Sequence, residues 1–222
     1  MTESVNTNEI GKDFPQCTKM TKGYDYNAAN SVHALHRHRR SFPNFDPNLQ
    51  SFVLSGTAKL TDVVSAAVVN GSGFLVSGKI KSIIQRFETI PLKFYPGTLV
   101  HRQKSYEYYW MHMVSHDFSQ LIDFSGSVFE AEYFDAQIET FQVDSFDELL
   151  IKKSSFVEEH GGSFVSVRGV SLKIDKSVSK YAILSLLGFD FRFHMREDLK
   201  QEIINNKCTG LDLAINSSFI LF

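Results

Sequence analysis

Tyr106-Glu107-Tyr108-Tyr109-Trp110-Met111-His112-Met113-Val114 is the stretch on which the fold turns. Taken with a period of two, Tyr106, Tyr108, Trp110, His112 and Val114 share one face, and Glu107, Tyr109, Met111 and Met113 share the other. Both faces are largely apolar, so this strand belongs at the centre of a sheet covered on both sides. Upstream, Phe74-Leu75-Val76 reads as a short strand running into Ser77, a good helix N-cap. Ile80, Ile83, Ile84 and Phe87 follow at the spacing of one helical face and are expected in the core. Pro91 stops that helix, and Lys93-Phe94-Tyr95 opens the next strand. Further upstream, Thr61 is placed to cap a short helix over residues 62–69, followed by a turn at Asn70-Gly71-Ser72-Gly73.

Downstream, residues 127–134 alternate. Phe129, Ala131 and Tyr133 lie on one face, and Glu130 and Glu132 lie on the other, expected in water. Residues 137–143 continue the sheet. Ser145 and Glu148 form a capping box before a short helix that carries Phe146, Leu149 and Leu150 inward, with Asp147 and Glu148 in its first turn and Lys152 and Lys153 after them. Gly161-Gly162 is a turn, residues 164–170 and 189–193 read as strands, 196–206 as a helix and 211–215 as a strand. The expected fold class is α+β: a mixed, mainly antiparallel sheet with a few short helices. The segments from Phe74 to Tyr95 and from Phe193 to Leu213 share the same strand–helix–strand offsets. Duplication would place them as similar units in one sheet system; any amphipathic helix between two strands would also give those offsets.

The composition agrees with this class. The chain has 222 residues, 43% of them apolar, and its 20 Phe and 8 Tyr favour pleated, half-buried surfaces. A chain of this length buries enough surface to need no disulfide or metal. Net charge is −2, which argues against a globally basic nucleic-acid binder. No apolar run is long enough for a membrane helix, and the first residues lack the pattern of a secretory signal. Cys17 and Cys208 fit no metal or redox spacing and read as reduced thiols of a cytoplasmic protein. Residues 1–50 are polar and without period, and are expected to be an irregular or partly flexible segment that contributes little to the core. A single α+β domain over residues 51–222 would follow.

Several segments resemble a known family. They are Arg196-Glu-Asp-Leu-Lys-Gln-Glu-Ile-Ile-Asn-Asn-Lys-Cys-Thr209-Gly210-Leu-Asp-Leu213, Leu75-Val76-Ser77-Gly78-Lys79-Ile80, Phe94-Tyr95-Pro96, the aromatic strand from Tyr106, and Ile122-Asp123-Phe124-Ser125-Gly126-Ser127-Val128-Phe129. Together they resemble the immunity proteins that accompany bacterial polymorphic toxins, type eleven, with type forty-three as a neighbouring alternative. Thr209-Gly210 matches the family's closing Thr-Gly, whereas Arg196-Glu197 stands where the family usually has Ser-Glu, a weaker cap. The resemblance spans about residues 72–215 and implies an α+β protein that neutralises one cognate toxin by binding it. It brings no catalytic residues, cofactor or metal.

Other patterns are weighed on their own chemistry. His33-Ala34-Leu35-His36-Arg37-His38-Arg39-Arg40 could ligate a metal through three imidazoles, although the arginines would repel a cation, or could touch a phosphate or acidic neighbour. A solvated charged segment is the plainer reading. His112 and His116 have zincin spacing but lack its Glu and fall on a strand. Ser177-Val178-Ser179-Lys180 has no partner motif, and no phosphate-binding glycine loop or Gly-x-Ser-x-Gly elbow occurs.

Charge is unevenly spread. Residues 105–151 hold no Lys or Arg but ten acids, Glu107, Asp117, Asp123, Glu130, Glu132, Asp135, Glu139, Asp144, Asp147 and Glu148, leaving 23 − 15 = +8 elsewhere. An acidic surface steers a basic partner and weakens with salt. The expected function is therefore non-enzymatic: neutralisation of a basic toxin through Asp117, Asp123, Glu130, Glu132, Asp135 and Glu139, with no direct contact to nucleic acid or membrane. The alternative is a small hydrolase that pairs His112 or His116 with Asp117 or Asp123. A scaffold with a large symmetric apolar interface is the third.

Overall fold

The computed structural model describes residues 1–69, 71–114, 117–134, 136–161, 164–186, 189, 193–214 and 219–222. In chain order the strands are β1 (Thr2–Glu3), β2 (Cys17–Met20), β3 (Phe52–Leu54), β4 (Val63–Val64), β5 (Gly73–Ser77), β6 (Leu92–His101), β7 (Lys104–Met113), β8 (Ile122–Tyr133), β9 (Ala136–Phe141), β10 (Val165–Ile174), β11 (Ile183–Ser185), β12 (Phe193–Met195), β13 (Leu211–Asp212) and β14 (Phe219–Leu221). The α-helices are α1 (Thr7–Ile10), α2 (Gly78–Ile84), α3 (Phe146–His160) and α4 (Glu197–Asn205). The protein is of the mixed α+β class, with mainly antiparallel sheets. In place of one domain, the chain forms two compact units. The first is Met1–His116 with Tyr181–Leu184 and Met195–Ala214; the second is Asp117–Lys180 with Ser185–His194 and Ile215–Phe222.

The first unit is built on a six-stranded sheet in the order β2-β3-β6-β7-β5-β4. β7 is interior, flanked antiparallel by β5 and β6, with Trp110 opposite Leu75 on one side and Tyr95 on the other. Its two apolar faces explain this position. Tyr108 and Trp110 join a core with Leu75, Tyr95, Leu99, Val32, Leu35 and Leu49. Met111 and Met113 are buried on the opposite face, where α2 lies with Lys81 Nζ 3.7 Å from the centre of the Tyr109 ring. α2 starts as its sequence predicts: the Ser77 hydroxyl accepts from Ile80 N–H at 3.4 Å. Ile80, Ile83 and Ile84 are buried; Phe87 lies past the helix end and is half-buried. α4 packs beside α2, buries Leu199 and Ile203, and joins it through the Arg86–Glu202 ion pair.

Residues 1–50 depart from expectation. Much of their backbone is irregular, yet Ile10, Cys17, Val32, Leu35 and Leu49 are fully buried and Met20 nearly so. β2 pairs antiparallel with β3. Gln16 is the fastening. Its buried side-chain amide donates to Lys59 O at 2.8 Å and Thr61 Oγ1 at 3.2 Å, and its oxygen accepts from Ser65 N–H at 3.2 Å. The same network overturns the helix expected over residues 62–69. The Thr61 hydroxyl donates to Val63 O at 2.6 Å instead of capping a helix, and residues 63–64 pair with β5 as β4. Nor are the two strand–helix–strand segments equivalent. β5 and β6 flank one strand, whereas β12 pairs with β11 and β13 with β1.

The Thr209-Gly210 pair is a clasp. Thr209 N–H donates to the Asp62 carboxylate at 3.0 Å, and Asp62 N–H returns a bond to the Thr209 hydroxyl at 3.2 Å. Gly210 sits at φ +88°, where a Cβ would come within 2.0 Å of Val63 O, so only glycine fits. Its N–H donates to Glu9 at 2.9 Å, and its carbonyl accepts from Ser4 N–H at 3.0 Å.

The second unit is a four-stranded sheet in the order β14-β10-β8-β9, with α3 against β8 and β10. Phe129 and Ala131 face its core. The rings of Phe124, Phe129, Phe141 and Phe156 follow one another at centroid distances of 5.9, 6.1 and 5.7 Å. α3 begins with the expected cap, the Ser145 hydroxyl accepting from Glu148 N–H at 3.1 Å. It is longer than predicted, at 15 residues. Leu149 and Phe156 point inward, while Phe146 and Leu150, expected inside, are exposed.

Candidate functional site

The acids of residues 105–151 were expected to form an unaccompanied surface. The fold supplies them with bases from outside the stretch. Arg168 on β10 stands directly across the ladder from Glu130. Its guanidinium donates to Glu130 at 2.7 Å and to Glu132 at 2.9 Å. Glu130, expected in water, is buried. Asp123 and Lys173, also cross-strand partners, are 2.8 Å apart. Lys173, with help from the Ser125 hydroxyl and Gly126 N–H, holds the Asp123 carboxyl down at about 2. Glu139 pairs with Lys152 of α3 at 2.9 Å, so it lies on the helix side of the sheet while Glu130 and Glu132 lie on the other. Asp117 accepts from Ser119 N–H at 2.9 Å, just ahead of the short turn Ser119–Leu121. Asp135 lies outside the described residues.

The residues of the hydrolase reading are engaged structurally. His112 is fully buried on β7. Its Nε2 is 2.7 Å from the His38 carbonyl oxygen, which can only accept, so Nε2 carries the proton. Phe42 and Tyr95 pack on the ring. His116 lies outside the described residues. Ser177 N–H donates to Asp175 at 2.7 Å in the turn Lys176–Lys180. Among the described residues, no three His, Cys, Asp or Glu side chains are grouped to hold a metal ion.

Burial lowers the His112 pKa from 6.5, with hydrogen bonding to the His38 and Ser41 backbones acting in the opposite sense. The unfolded chain therefore binds this proton first as pH falls. The stability that neutral His112 contributes is complete above about pH 6.5 and declines as pH drops through the folded value. His112→Gln, which can still donate to His38, is expected to flatten the fall of Tm with acidity below about pH 6.5. His101, shifted the same way by burial and by Arg102, still contributes in that variant. Parallel Tm profiles for the two proteins would show that His112 does not control this limb.

A different feature stands out at the end of the second unit's sheet. Tyr133 and Val165 are ladder partners. One step beyond them Phe134 and Phe164 stack at a centroid distance of 4.3 Å and 20° between planes. Each is 60% exposed. Tyr133 meets Phe134 edge-on at 4.6 Å, and His160 at the end of α3 packs on Tyr133 at 5.4 Å. Phe134 has φ +49°, a left-handed conformation that a bulky side chain rarely adopts and that costs of order 1–3 kcal/mol. An Asn or Gly would fit that turn with less strain and less wet apolar surface. Alternation alone extends the strand through Phe134; the contrary signal is an aromatic residue at the turn between two strands.

A scan against protein-family models found no match, and a search of curated proteins found none of comparable sequence. Among the described residues no helix is long and apolar enough to cross a membrane.

Proposed function

We propose that this chain is a non-enzymatic binding protein of the toxin-immunity class, which captures a cognate basic toxin and blocks it by occlusion. The observation that carries the reading is the stacked, exposed Phe134–Phe164 pair. Two phenyl rings held together at a strained turn do little for folding. They supply the rigid aromatic anchor that dominates protein interfaces. Glu132, on the strand that leads into Phe134, then acts as polar rim rather than as the source of affinity, because it already has a cationic partner in Arg168 and rim charges mainly tune association rate.

The test is co-expression with whichever toxin domain the reading frames adjacent to this gene encode. The intact chain is expected to co-purify with that domain and restore growth. Phe134→Ser combined with Phe164→Ser is expected to weaken the complex by about 2–4 kcal/mol, the range of interface hot spots, while its unfolding transition is retained. If the wild-type chain neither binds nor protects, the immunity reading fails. If the double variant binds as well as wild type, the anchor lies elsewhere.

A further inference from the structure

His33 and His36 of the basic N-terminal stretch, which the toxin-binding reading does not use, line a cavity in the first unit. The cavity is open, about 630 Å³, and walled by Thr18, Tyr26, His33, His36, Ala67 and Val68. That volume falls in the range of small-molecule sites. Its shape follows from the 3-10 turn Val32–Arg37. Residues three apart eclipse in such a turn. Val32 and Leu35 go into the core, and His33 and His36 line the cavity together.

The polar groups are arranged in a chain. His36 Nδ1 is 2.5 Å from the His33 carbonyl oxygen, so Nδ1 carries the proton. His36 Nε2 then accepts from Arg37 Nε at 3.4 Å. This sets the Arg37 guanidinium beside a cavity-lining ring at the mouth of the cavity. Arg37 and Arg40 are both exposed, and neither has a carboxylate partner among the described residues. His33 leans on Tyr26 at a centroid distance of 4.9 Å and 35° between planes, which makes an aromatic wall. The Tyr26 hydroxyl accepts from Met20 N–H at 2.9 Å and so keeps its own proton to donate. Thr18 is exposed on β2 and adds a second hydroxyl. Ala67 and Val68 complete the lining with methyl groups.

We infer that this cavity is a binding site for a nucleoside phosphate. The base lies on the Tyr26–His33 wall and against Ala67 and Val68, as bases do on aromatic platforms. The phosphate meets Arg37, which suits paired N–H donation to its oxygens, with the Thr18 and Tyr26 hydroxyls as further donors. A bare anion would leave the aromatic wall wet. A neutral ring would leave the guanidinium without a counter-charge.

The test is isothermal titration of the full chain with uridine monophosphate, uridine and inorganic phosphate as separate probes. The nucleotide is expected to bind saturably with Kd on the order of 1 mM or tighter, at least about tenfold tighter than either fragment. His33→Ala with Arg37→Ala removes two exposed side chains and leaves Val32 and Leu35 in place. It is expected to keep the wild-type Tm and lose at least about tenfold in affinity. Lys153→Ala, on an exposed position of α3 in the other unit, is expected to bind as wild type. Absence of saturable nucleotide binding, equal affinity for uridine or phosphate, or full affinity in the double variant would each overturn the assignment.

Discussion

A chain shortened to begin at Asn48 is expected to lose its cooperative unfolding transition and to aggregate. The deletion removes Ile10, Cys17, Met20, Val32 and Leu35, all at most 4% exposed. Full burial of such a side chain contributes about 1.5–3 kcal/mol, and five together rival the total stability of a domain, about 5–15 kcal/mol. The loss is compounded in the remainder. Thr61 and Ser65 lose the Gln16 amide, β3 loses its partner β2, and the Tyr108–Trp110 face of β7 loses the cover of Val32 and Leu35. The measurement is urea denaturation followed by near-ultraviolet circular dichroism. A sigmoidal transition within about 1 kcal/mol of the full chain would mean that the buried N-terminal side chains are dispensable.

Reversing Glu130 and Glu132 to Lys is expected to destabilise the second unit, although alternation alone places both residues on a solvent face. Glu130 is buried against Arg168, and its side chain is only 11% exposed. The double reversal sets two ammonium groups against that guanidinium. Breaking a buried pair costs roughly 3–5 kcal/mol. Arg168 is 40% exposed, and solvent screening brings the expectation down to about 2–3 kcal/mol. Adding Arg168→Glu should recover part of the loss. Thermal unfolding of wild type, double and triple variants reads this directly, and a double variant within about 0.5 kcal/mol of wild type would show that the pairs contribute nothing.

What the sequence disclosed and what it hid divide along one physical line. α2 was legible because its isoleucines and its Ser77 cap lie within two turns of one another. The interior place of β7 was legible because both its faces are written in consecutive residues. The Ser145 cap of α3 is equally local. By contrast, Arg168 meets Glu130 only through the pairing of β8 with β10, which no local pattern encodes. The same holds for Gln16. Its partners Lys59, Thr61 and Ser65 keep residues 62–69 out of a helix, as strand β4 followed by a turn, against a local capping signal. Ile10 sits in the four-residue α1, and Val32 and Leu35 in the short 3-10 turn Val32–Arg37, elements too brief for an apolar period to stand out in the sequence. The Phe134–Phe164 stack was hidden for the same reason, since it forms where two distant strands run out together.

The Thr209-Gly210 clasp has a consequence for the order in which the molecule can be made. It ties Ser4, Glu9 and Asp62 to a turn that leaves the ribosome some two hundred residues after the first of them. α4, which packs beside α2 and buries Leu199 and Ile203, also emerges late. The first unit therefore cannot close while its strands are being synthesised. The clasp waits through the translation of the whole β8–β10 region, and contacts this distant in sequence form slowly. A nascent chain therefore exposes apolar surface through most of elongation, the condition that favours aggregation, and a chain ending before Thr209 is expected to aggregate rather than fold as a smaller working domain.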